Sequence, residues 1–514
     1  MDFDRSQLQT PSGIEAHSFL PDPCSGSVAI CPPGTLAHRH FAPEDLMWFA
    51  AASGDWNPIH VDAVAARRLL TGEVIVHGMY LLAWALDVWC AAGGVSPVAM
   101  AVAFPRPVLT GEHLALRVET AEGQERRLAV QRGDDTVMTL LLTCGESAAL
   151  EVGFVPARPE RALPEQHAFA ELKGATGYLP LLALPGDIQG AFPDACRVLG
   201  MHVVATLLGF SRLVGMFCPG LHALFSGVDI RLDGAETSPG IAWQVERHSV
   251  PQAPLHMAVR GGGMAGRLVA FVRPAPVAQA LMGDVAAQVP PGSFAGQVAL
   301  IVGGSRGLGE MTAKIIAAGG GEVIVTHARG LADARRVVEE ILTWGGRGRI
   351  VALDVEQPDA AMTDLLAHVS PTHLYYFAAP TVGGGGGGTF DPLRLARFNK
   401  IFVTDFVRLV GMLRKKISGD LSVFYPSSIF VEQLPREHVE YIIAKAAGEV
   451  LCRHMARNMP GLRILTCRLP RLATDQTVGL IQRPVAAPLP EMLRVVEAMH
   501  AMPTHTLQDA VSTG

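Results

Sequence analysis

From residue 297 onward, short apolar runs alternate with helix-patterned segments, and this alternation restricts the fold of the 514-residue chain more than any other feature. QVALIV, EVIVTH, RIVALDV, HLYYFAA, LSVFYPSS and LRILTCR read as strands. Strands separated by helices predict a parallel sheet wound on both faces. The first strand runs into Gly303-Gly304-Ser305-Arg306-Gly307-Leu308-Gly309, and a helical segment, MTAKIIAAGG, follows. Glycines between a strand and a helix let backbone N–H groups at the helix start cradle a pyrophosphate. Gly383 to Gly388 is a run of glycine directly after the fourth strand, at the carboxyl edge where open α/β sheets bind ligands. It reads either as a substrate loop or as a tolerated low-complexity loop.

The first half follows a different plan. FAPEDLMWFAAASGD has helical periodicity, with Pro43 placed for a first turn. VIVHGMYLLAWALDVWC reads as a buried helix, and VAMAVAF, HLALRVETA, RLAVQRG and TVMTLLLTC read as strands. One buried helix followed by antiparallel strands is an α+β pattern. Residues 151–285 repeat it, with ACRVLGMHVVATLLGFSRLVGMFCPG as a second central helix before four strand-like runs. Two copies of one plan imply an internal duplication. The expected domains are therefore 1–150, 151–285 and 292–514, with the Pro-, Ala- and Gly-rich stretch 273–296 as linker.

Composition excludes several classes. Net charge is −6 with Lys and Arg scattered, which argues against a nucleic-acid partner. No uninterrupted apolar run reaches the ~18 residues of a membrane-spanning helix. The start, MDFDRSQLQT, lacks a secretion pattern, and the end, VSTG, is no lipidation or peroxisomal tail. Eight cysteines lie far apart without metal-ligand spacing, as expected of reduced, mostly buried thiols in a cytoplasmic protein with no metal centre.

Two strings carry chemistry. In SGDWNPIHVD, Asp55 and His60 flank Asn57 and Pro58, and Pro58 is expected to end the preceding helix. A carboxylate and an imidazole around one point can share acid and base work on a single water. A backbone N–H at a helix start, such as that of Gly78, can stabilise an enolate-like oxygen. In the second half, Tyr441 and Lys445 share one helical face, and Ser428 follows a strand. Tyrosine can protonate a developing alkoxide, the lysine charge lowers its pKa, and serine holds the carbonyl oxygen while a nicotinamide supplies hydride. VTHARG, at the end of the second strand, offers no carboxylate for an NAD ribose, whereas Arg306 and Arg329 favour the 2′-phosphate of NADP(H).

SGDWNPIHVD with VIVHGM, and the later VAFPRPVLTGEHLAL, resemble the MaoC-like, R-specific enoyl hydratase/dehydratase family of hot-dog folds over residues 35–145. The resemblance implies Asp55 and His60 as the catalytic pair, with Asn57 and Gly78 on the substrate side. The middle region then looks like a second, non-catalytic hot dog. Residues 296–475 resemble the short-chain dehydrogenase/reductase family. That resemblance implies Ser428, Tyr441, Lys445 and Asn399 as catalytic residues. It implies cofactor contacts at Gly303, Ser305, Arg306, Gly307, Leu308, Gly309, Arg329, Asp354, Val355 and Ala378, besides Tyr441 and Lys445. Three departures stand out: Val302 for the usual threonine, Phe377-Ala378-Ala379-Pro380 for Asn-Ala-Gly, and Pro470-Arg471 for Pro-Gly.

The expected fold class is an α+β double hot dog followed by an α/β doubly wound Rossmann domain. The expected activity is reduction of a 3-oxoacyl thioester with NADPH and dehydration of the (R)-3-hydroxyacyl product, on CoA or acyl carrier protein, in a homodimer without nucleic-acid or membrane partners. Two alternatives stay open: the reverse, degradative direction with NAD, and a dehydratase fused to an inactive reductase-like scaffold.

Overall fold

The computed structural model describes residues 34–68, 72–145, 153–232, 238–248, 253–382, 390–477 and 483–502, with Gly234, Val250 and Gly479. Both chain ends and the glycine run 383–388 lie outside them. Two units form: residues 1–61 with 75–272, and residues 62–74 with 273–514.

The first unit holds ten strands: β1 (Thr35–Arg39), β2 (Pro97–Ala103), β3 (Leu114–Glu122), β4 (Glu125–Arg132), β5 (Asp135–Cys144), β6 (Thr176–Pro180), β7 (Ala223–Arg231), β8 (Gly240–Arg247), β9 (Leu255–Gly261) and β10 (Met264–Val272). They form one sheet in the order β1-β3-β4-β5-β2-β7-β10-β9-β8-β6. The order reads the same from either end once β1 is matched to β6, β2 to β7 and so on. The duplication expected from sequence is therefore visible as topology, and the copies join where β2 pairs with β7, Ala101 opposite Asp229. The strands alternate as the pleat requires: Leu140, Leu142 and Cys144 of β5 are buried while Thr139, Leu141 and Thr143 are less so.

Each half carries one apolar helix. Helix Gly78–Ala91 buries Met79 to Leu86, Trp89 and Cys90. A helix this apolar all round belongs in a core. The Asp87 carboxylate accepts the N–H groups of Asp194 and Ala195, both at 2.9 Å, and so caps helix Pro193–Leu199 of the second half. The single central helix expected for that half is instead two, broken at Gly200 with φ +91°. The second piece, Met201–Arg212, continues as a π-turn, Leu213–Phe217. Among the described residues no single helix is long and apolar enough to cross a membrane.

The second unit has six strands, β11 (Val298–Val302), β12 (Glu322–His327), β13 (Arg347–Ala352), β14 (His373–Tyr376), β15 (Leu421–Ser428) and β16 (Leu462–Leu469). All pair in parallel, in the order β13-β12-β11-β14-β15-β16. This is the order of a dinucleotide-binding doubly wound sheet, with its crevice between β11 and β14. Apolar layers cover both faces, one through Met311, Ile315, Val337, Ile341, Met492 and Val496, the other through Phe402, Phe406, Leu409, Leu413, Ala444 and Met455.

Two boundary expectations need correction. The stretch 273–296 is no free linker: helix Met282–Ala286 buries Met282 and Val285 in the second unit's core, with Phe294 beside them. Residues 62–74, placed within domain 1–150 by sequence, belong to the second unit.

Candidate active sites

Helix Pro43–Ser53 ends at Gly54 in the left-handed region, φ +78°, and not at Pro58, which instead opens the short helix Pro58–Val61. A proline fits a first helical turn because its missing N–H has no partner there. Between them a hydrogen-bonded turn aims the side chains. Ser53 Oγ donates to Phe49 O at 2.6 Å and accepts the Asp55 N–H at 3.1 Å. Asp55 Oδ1 accepts the Asn57 N–H at 3.3 Å. Asn57 is fully buried, and its amide donates to the carbonyls of Gly215 at 2.8 Å and Gly220 at 3.2 Å. Asn57 is therefore committed to locking the turn onto the second half. The substrate contact expected of it is not what the geometry provides.

Asp55, His60 and His77 converge, with one side-chain nitrogen or oxygen of each within 4.8 Å of the others. The His60 and His77 rings stack at 3.8 Å between centroids. His60 Nδ1 lies 2.7 Å from Ile75 O. A carbonyl only accepts, so Nδ1 holds the proton and Nε2 is the basic nitrogen. By the same logic His77 Nε2 donates to Asp55 O at 3.1 Å. Burial keeps the His77 pKa well below the ordinary range, so it stays neutral. Asp55 is buried, and burial pushes its carboxyl up to about 7, although Ser211 Oγ donates to Oδ2 at 2.7 Å and holds it down in part. Gly78 is the first residue of helix Gly78–Ala91, so its N–H has no intrahelical partner.

Ser211 and Gly215 belong to the second half. A Cβ at Gly215 would lie 2.1 Å from Asp55 Oδ1, so only glycine lets the carboxylate sit there. Neither residue was expected from sequence. The local signal, a serine and a glycine four residues apart in an apolar helix, is indistinguishable from packing.

In the second unit, Ser428 ends β15 and Tyr441 and Lys445 lie on helix Val439–Asn458. The Tyr441 hydroxyl hydrogen-bonds the Ser428 side chain, while burial pushes its pKa up to about 12. Lys445 Nζ donates to Pro426 O at 2.7 Å and lies 3.8 Å above the Phe402 ring and 5.8 Å from the Tyr441 ring. Burial drops the Lys445 pKa to about 7. Ser427 Oγ and the Arg468 guanidinium both donate to Glu449, which pins the end of β15 to the Tyr441 helix. Gly448 lets the Tyr425 ring cross that helix, since a Cβ there would overlap the Tyr425 hydroxyl. Asn399 is half-buried at the end of helix Pro392–Asn399, where the chain enters a π-turn, Lys400–Asp405. Tyr376 and Tyr425 donate to the carbonyls of Ile401 and Phe402 in that turn, at 2.8 and 3.2 Å.

The Gly-rich turn lies between β11 and helix Gly307–Ala318, as the sequence implied. Gly303 has φ +77°, and a Cβ on Gly309 would lie 2.3 Å from Gly303 O. The helix start is thereby pressed against the turn, as phosphate binding by backbone N–H groups requires. Ser305 is buried, and Leu308 is half-buried against the apolar layer. Arg306 donates to Asp475 Oδ2 at 3.2 Å, and Arg329 is exposed just beyond β12. Asp354 is exposed, its Oδ1 accepting the Glu356 N–H at 3.0 Å, and Val355 beside it is buried. Ala378 is half-buried beside Gly303, whose Cβ position is 3.3 Å from Ala378 N. Gly303, at φ +77°, lets the turn pass close beside the altered Phe377–Pro380 stretch.

Comparison with known proteins agrees with both units. Residues 30–139 match the MaoC like domain, and residues 297–414 match the short chain dehydrogenase domain. The chain thus carries, in succession, a stretch similar to the MaoC like domain and a stretch similar to the short chain dehydrogenase domain. A chloroplastic NADPH-dependent aldehyde reductase-like protein of Arabidopsis thaliana is 27% identical over 244 residues, 42% of this chain and 87% of that protein. Versicolorin reductase 1 of Dothistroma septosporum is 36% identical over 166 residues, 31% of this chain and 63% of that protein. A 3-oxoacyl-[acyl-carrier-protein] reductase of Synechocystis is 43% identical over 63 residues, 12% of this chain and 26% of that protein.

Proposed function

We propose that the chain is a bifunctional enzyme that reduces a 3-oxoacyl thioester with NADPH and dehydrates the (R)-3-hydroxyacyl product to a trans-2-enoyl thioester. The first unit is read as a double hot dog, with a catalytic half at 1–150 and a non-catalytic half at 151–285, and residues 292–514 as the reductase. The observation that carries the reading is the convergence of the Asp55 carboxyl, which burial pushes up to about 7, with the His60 imidazole, whose Nδ1 lies 2.7 Å from Ile75 O. A carboxyl held near pKa 7 is an acid at neutral pH, and an imidazole with its proton fixed on Nδ1 is a base at Nε2.

Dehydration follows from those two states. His60 Nε2 takes the C2 proton of the 3-hydroxyacyl thioester. Asp55 gives its proton to the C3 hydroxyl, the C3–O bond breaks, and water leaves as the C2–C3 double bond forms. The Gly78 N–H at the helix start stabilises charge on the thioester oxygen. One proton moves from His60 to solvent and one from solvent to Asp55 to reset the pair.

The second unit fits a dinucleotide phosphate, by the glycine turn a Cβ would close and by the guanidiniums of Arg306 and Arg329 beside it. Bound there, a nicotinamide dinucleotide would supply the hydride for C3 of the 3-oxo group. Ser428 hydrogen-bonds the ketone oxygen and Tyr441 donates the proton that completes the alcohol. Lys445, when charged, lowers the cost of that donation. Relatives named for NADPH-dependent reduction and for a 3-oxoacyl carrier-protein substrate support this cofactor and an acyl-CoA or acyl carrier protein thioester.

The test is to incubate the full chain with acetoacetyl thioester and NADPH, following cofactor loss and product mass together. An enoyl product is expected. A 3-hydroxy product that never loses water refutes the serial reading. Constant NADPH, with crotonyl thioester and NAD giving the 3-oxo product instead, establishes the degradative direction.

A further inference from the structure

The end of β12 gathers charge that sequence spacing disperses. Residues 62–74 fall inside the stretch matched by the MaoC like domain, yet they are part of the second unit. The Asp62 carboxylate accepts the N–H groups of Val64 and Ala65 at 2.8 and 3.0 Å, starting a one-turn helix that delivers Arg67 and Arg68. Both guanidiniums donate to Asp333 in the first turn of helix Leu331–Thr343, Arg67 at 3.1 Å. The Arg67 carbonyl in turn accepts from Arg306 at 2.7 Å. The Arg67 guanidinium lies directly over Gly330, where a Cβ would be 2.4 Å from Nη2.

The cluster is larger than these pairs. The Arg329 charge acts on Arg67, and the Arg335 and Arg67 charges act on His327 at the end of β12. Three guanidiniums, Arg67, Arg68 and Arg306, thus pair with two carboxylates, Asp333 and Asp475, and the charges of Arg329 and Arg335 act on the same group. Arg336 next door does not add to the excess, because Glu310 pairs with it at 2.8 Å. The Arg67 Nε and His327 Nδ1 atoms are buried without a hydrogen-bond partner, and His327 as a whole is only 9% exposed. Buried polar nitrogens of this kind are normally satisfied. Surplus cations and orphaned nitrogens together describe a site for a multiply charged oxyanion.

We propose that Arg67, assisted by Arg68, is a specificity-determining residue of the reductase: with Arg306 and Arg329 it holds the 2′-phosphate of NADP(H). The inference rests on the reductase reading above. A phosphomonoester carries about −1.5 to −2 charge at neutral pH and three acceptor oxygens, which matches the surplus. A guanidinium presents two parallel donors to such a group, which an ammonium cannot. Asp333 orients Arg67 and Arg68 without neutralising the cluster. The phosphate-selecting residue, Arg67, is thus encoded 260 positions before His327, which ends the strand where it acts.

The test uses the full chain and calorimetric titration with NADP⁺, NAD⁺ and adenosine 2′,5′-bisphosphate. Arg67→Ala is expected to weaken NADP⁺ and the bisphosphate about 10- to 100-fold, the loss of one charge-assisted contact, and to leave NAD⁺ within about twofold. Arg67→Lys keeps the charge but not the fork, and is expected to lose about 3- to 10-fold for NADP⁺ alone. This milder variant decides the matter if Arg67→Ala does not fold. Equal weakening of NADP⁺ and NAD⁺ makes Arg67 a structural strap and overturns the proposal, as does unchanged NADP⁺ affinity. A wild-type chain that binds neither dinucleotide overturns the reductase reading itself.

Discussion

Replacing Gly215 with alanine tests whether the second half builds the dehydratase site. The added Cβ would lie 2.1 Å from Asp55 Oδ1 and 2.6 Å from Asp55 Cγ. An ordinary carbon–oxygen contact is about 3.3 Å, so the carboxylate must move by roughly 1 Å. It cannot do so freely, because Oδ2 is tied to Ser211, one turn earlier on the same helix, at 2.7 Å. Swinging away from residue 215 therefore costs the Ser211 bond as well as the aim at the substrate. A displacement of about 1 Å in a catalytic group costs about 100-fold in rate, or about 2.7 kcal/mol of barrier. The assay is dehydration of an (R)-3-hydroxyacyl thioester by Gly215→Ala, with ketone reduction by the same protein as internal control. Dehydration is expected to fall about 100-fold while reduction holds. If dehydration stays within about threefold of wild type and the variant is folded, Asp55 is not the acid argued above, or Gly215 does not position it.

Other substitutions and pH profiles probe the remaining steps. Ser211→Ala removes the donor that holds the Asp55 pKa down, so the proton stays on at higher pH. Dehydration requires that proton and fades as pH rises through about 7 in the wild type. In the variant the fall should move up by about one to two pH units, and an unmoved profile refutes the role of the hydroxyl. Tyr441→Phe deletes the proton donor and should cut ketone reduction by about 100- to 10,000-fold while sparing dehydration. Reduction at the wild-type rate disproves the assignment. Lys445, depressed to about 7 by burial, is charged below that pH and neutral above it. Reduction should therefore decline as pH rises past 7, and a profile flat well into the alkaline range contradicts the lysine's role. Glu449→Ala strands Ser427 and Arg468. Losing these charge-assisted bonds is expected to lower the urea midpoint. A urea midpoint equal to that of the wild type removes Glu449 from the account.

Legibility in the sequence differed between the units for a physical reason. In the second unit, function is carried by local grammar. A glycine turn must sit between a strand and a helix, and Tyr441 and Lys445 must share a helical face. Both constraints act over a few residues, so spacing alone located them and all six strands. The first unit's candidate string was legible for the same reason, since Asp55 and His60 lie five residues apart. What closes around that string was not. Ser211 is 156 residues from Asp55, and nothing local marks it. β1 and β6 were also missed: each is five residues long at an edge of the sheet, too short to show alternation. Gly200 hid the break in the second central helix, because isolated glycine in an apolar run is compatible with either outcome. The scattered arginines misled in the same way: the charge of Arg67, Arg68, Arg306, Arg329 and Arg335 is a cluster only once β12 and its neighbours are folded.

The two halves of the first unit share one strand order, yet only the first carries a D-x-N-x-x-H string. In the palindromic sheet the two halves are equivalent in topology, but their central helices are not equivalent in chemistry. The first ends its preceding turn with a carboxylate that must be buried to reach a pKa near 7. Burial of a lone carboxyl is costly unless something hydrogen-bonds it and something else makes room. The second half supplies both from one helical face, a hydroxyl at residue 211 and a missing Cβ at residue 215, and it also accepts the Asn57 amide on the Gly215 carbonyl. A second acid in the mirror position would need the same services from the first half. The equivalent helix of the first half, Gly78–Ala91, is packed with buried apolar side chains from Met79 to Leu86. On the proposed reading, the second half thus serves as the wall that seats the Asp55 carboxyl of the first.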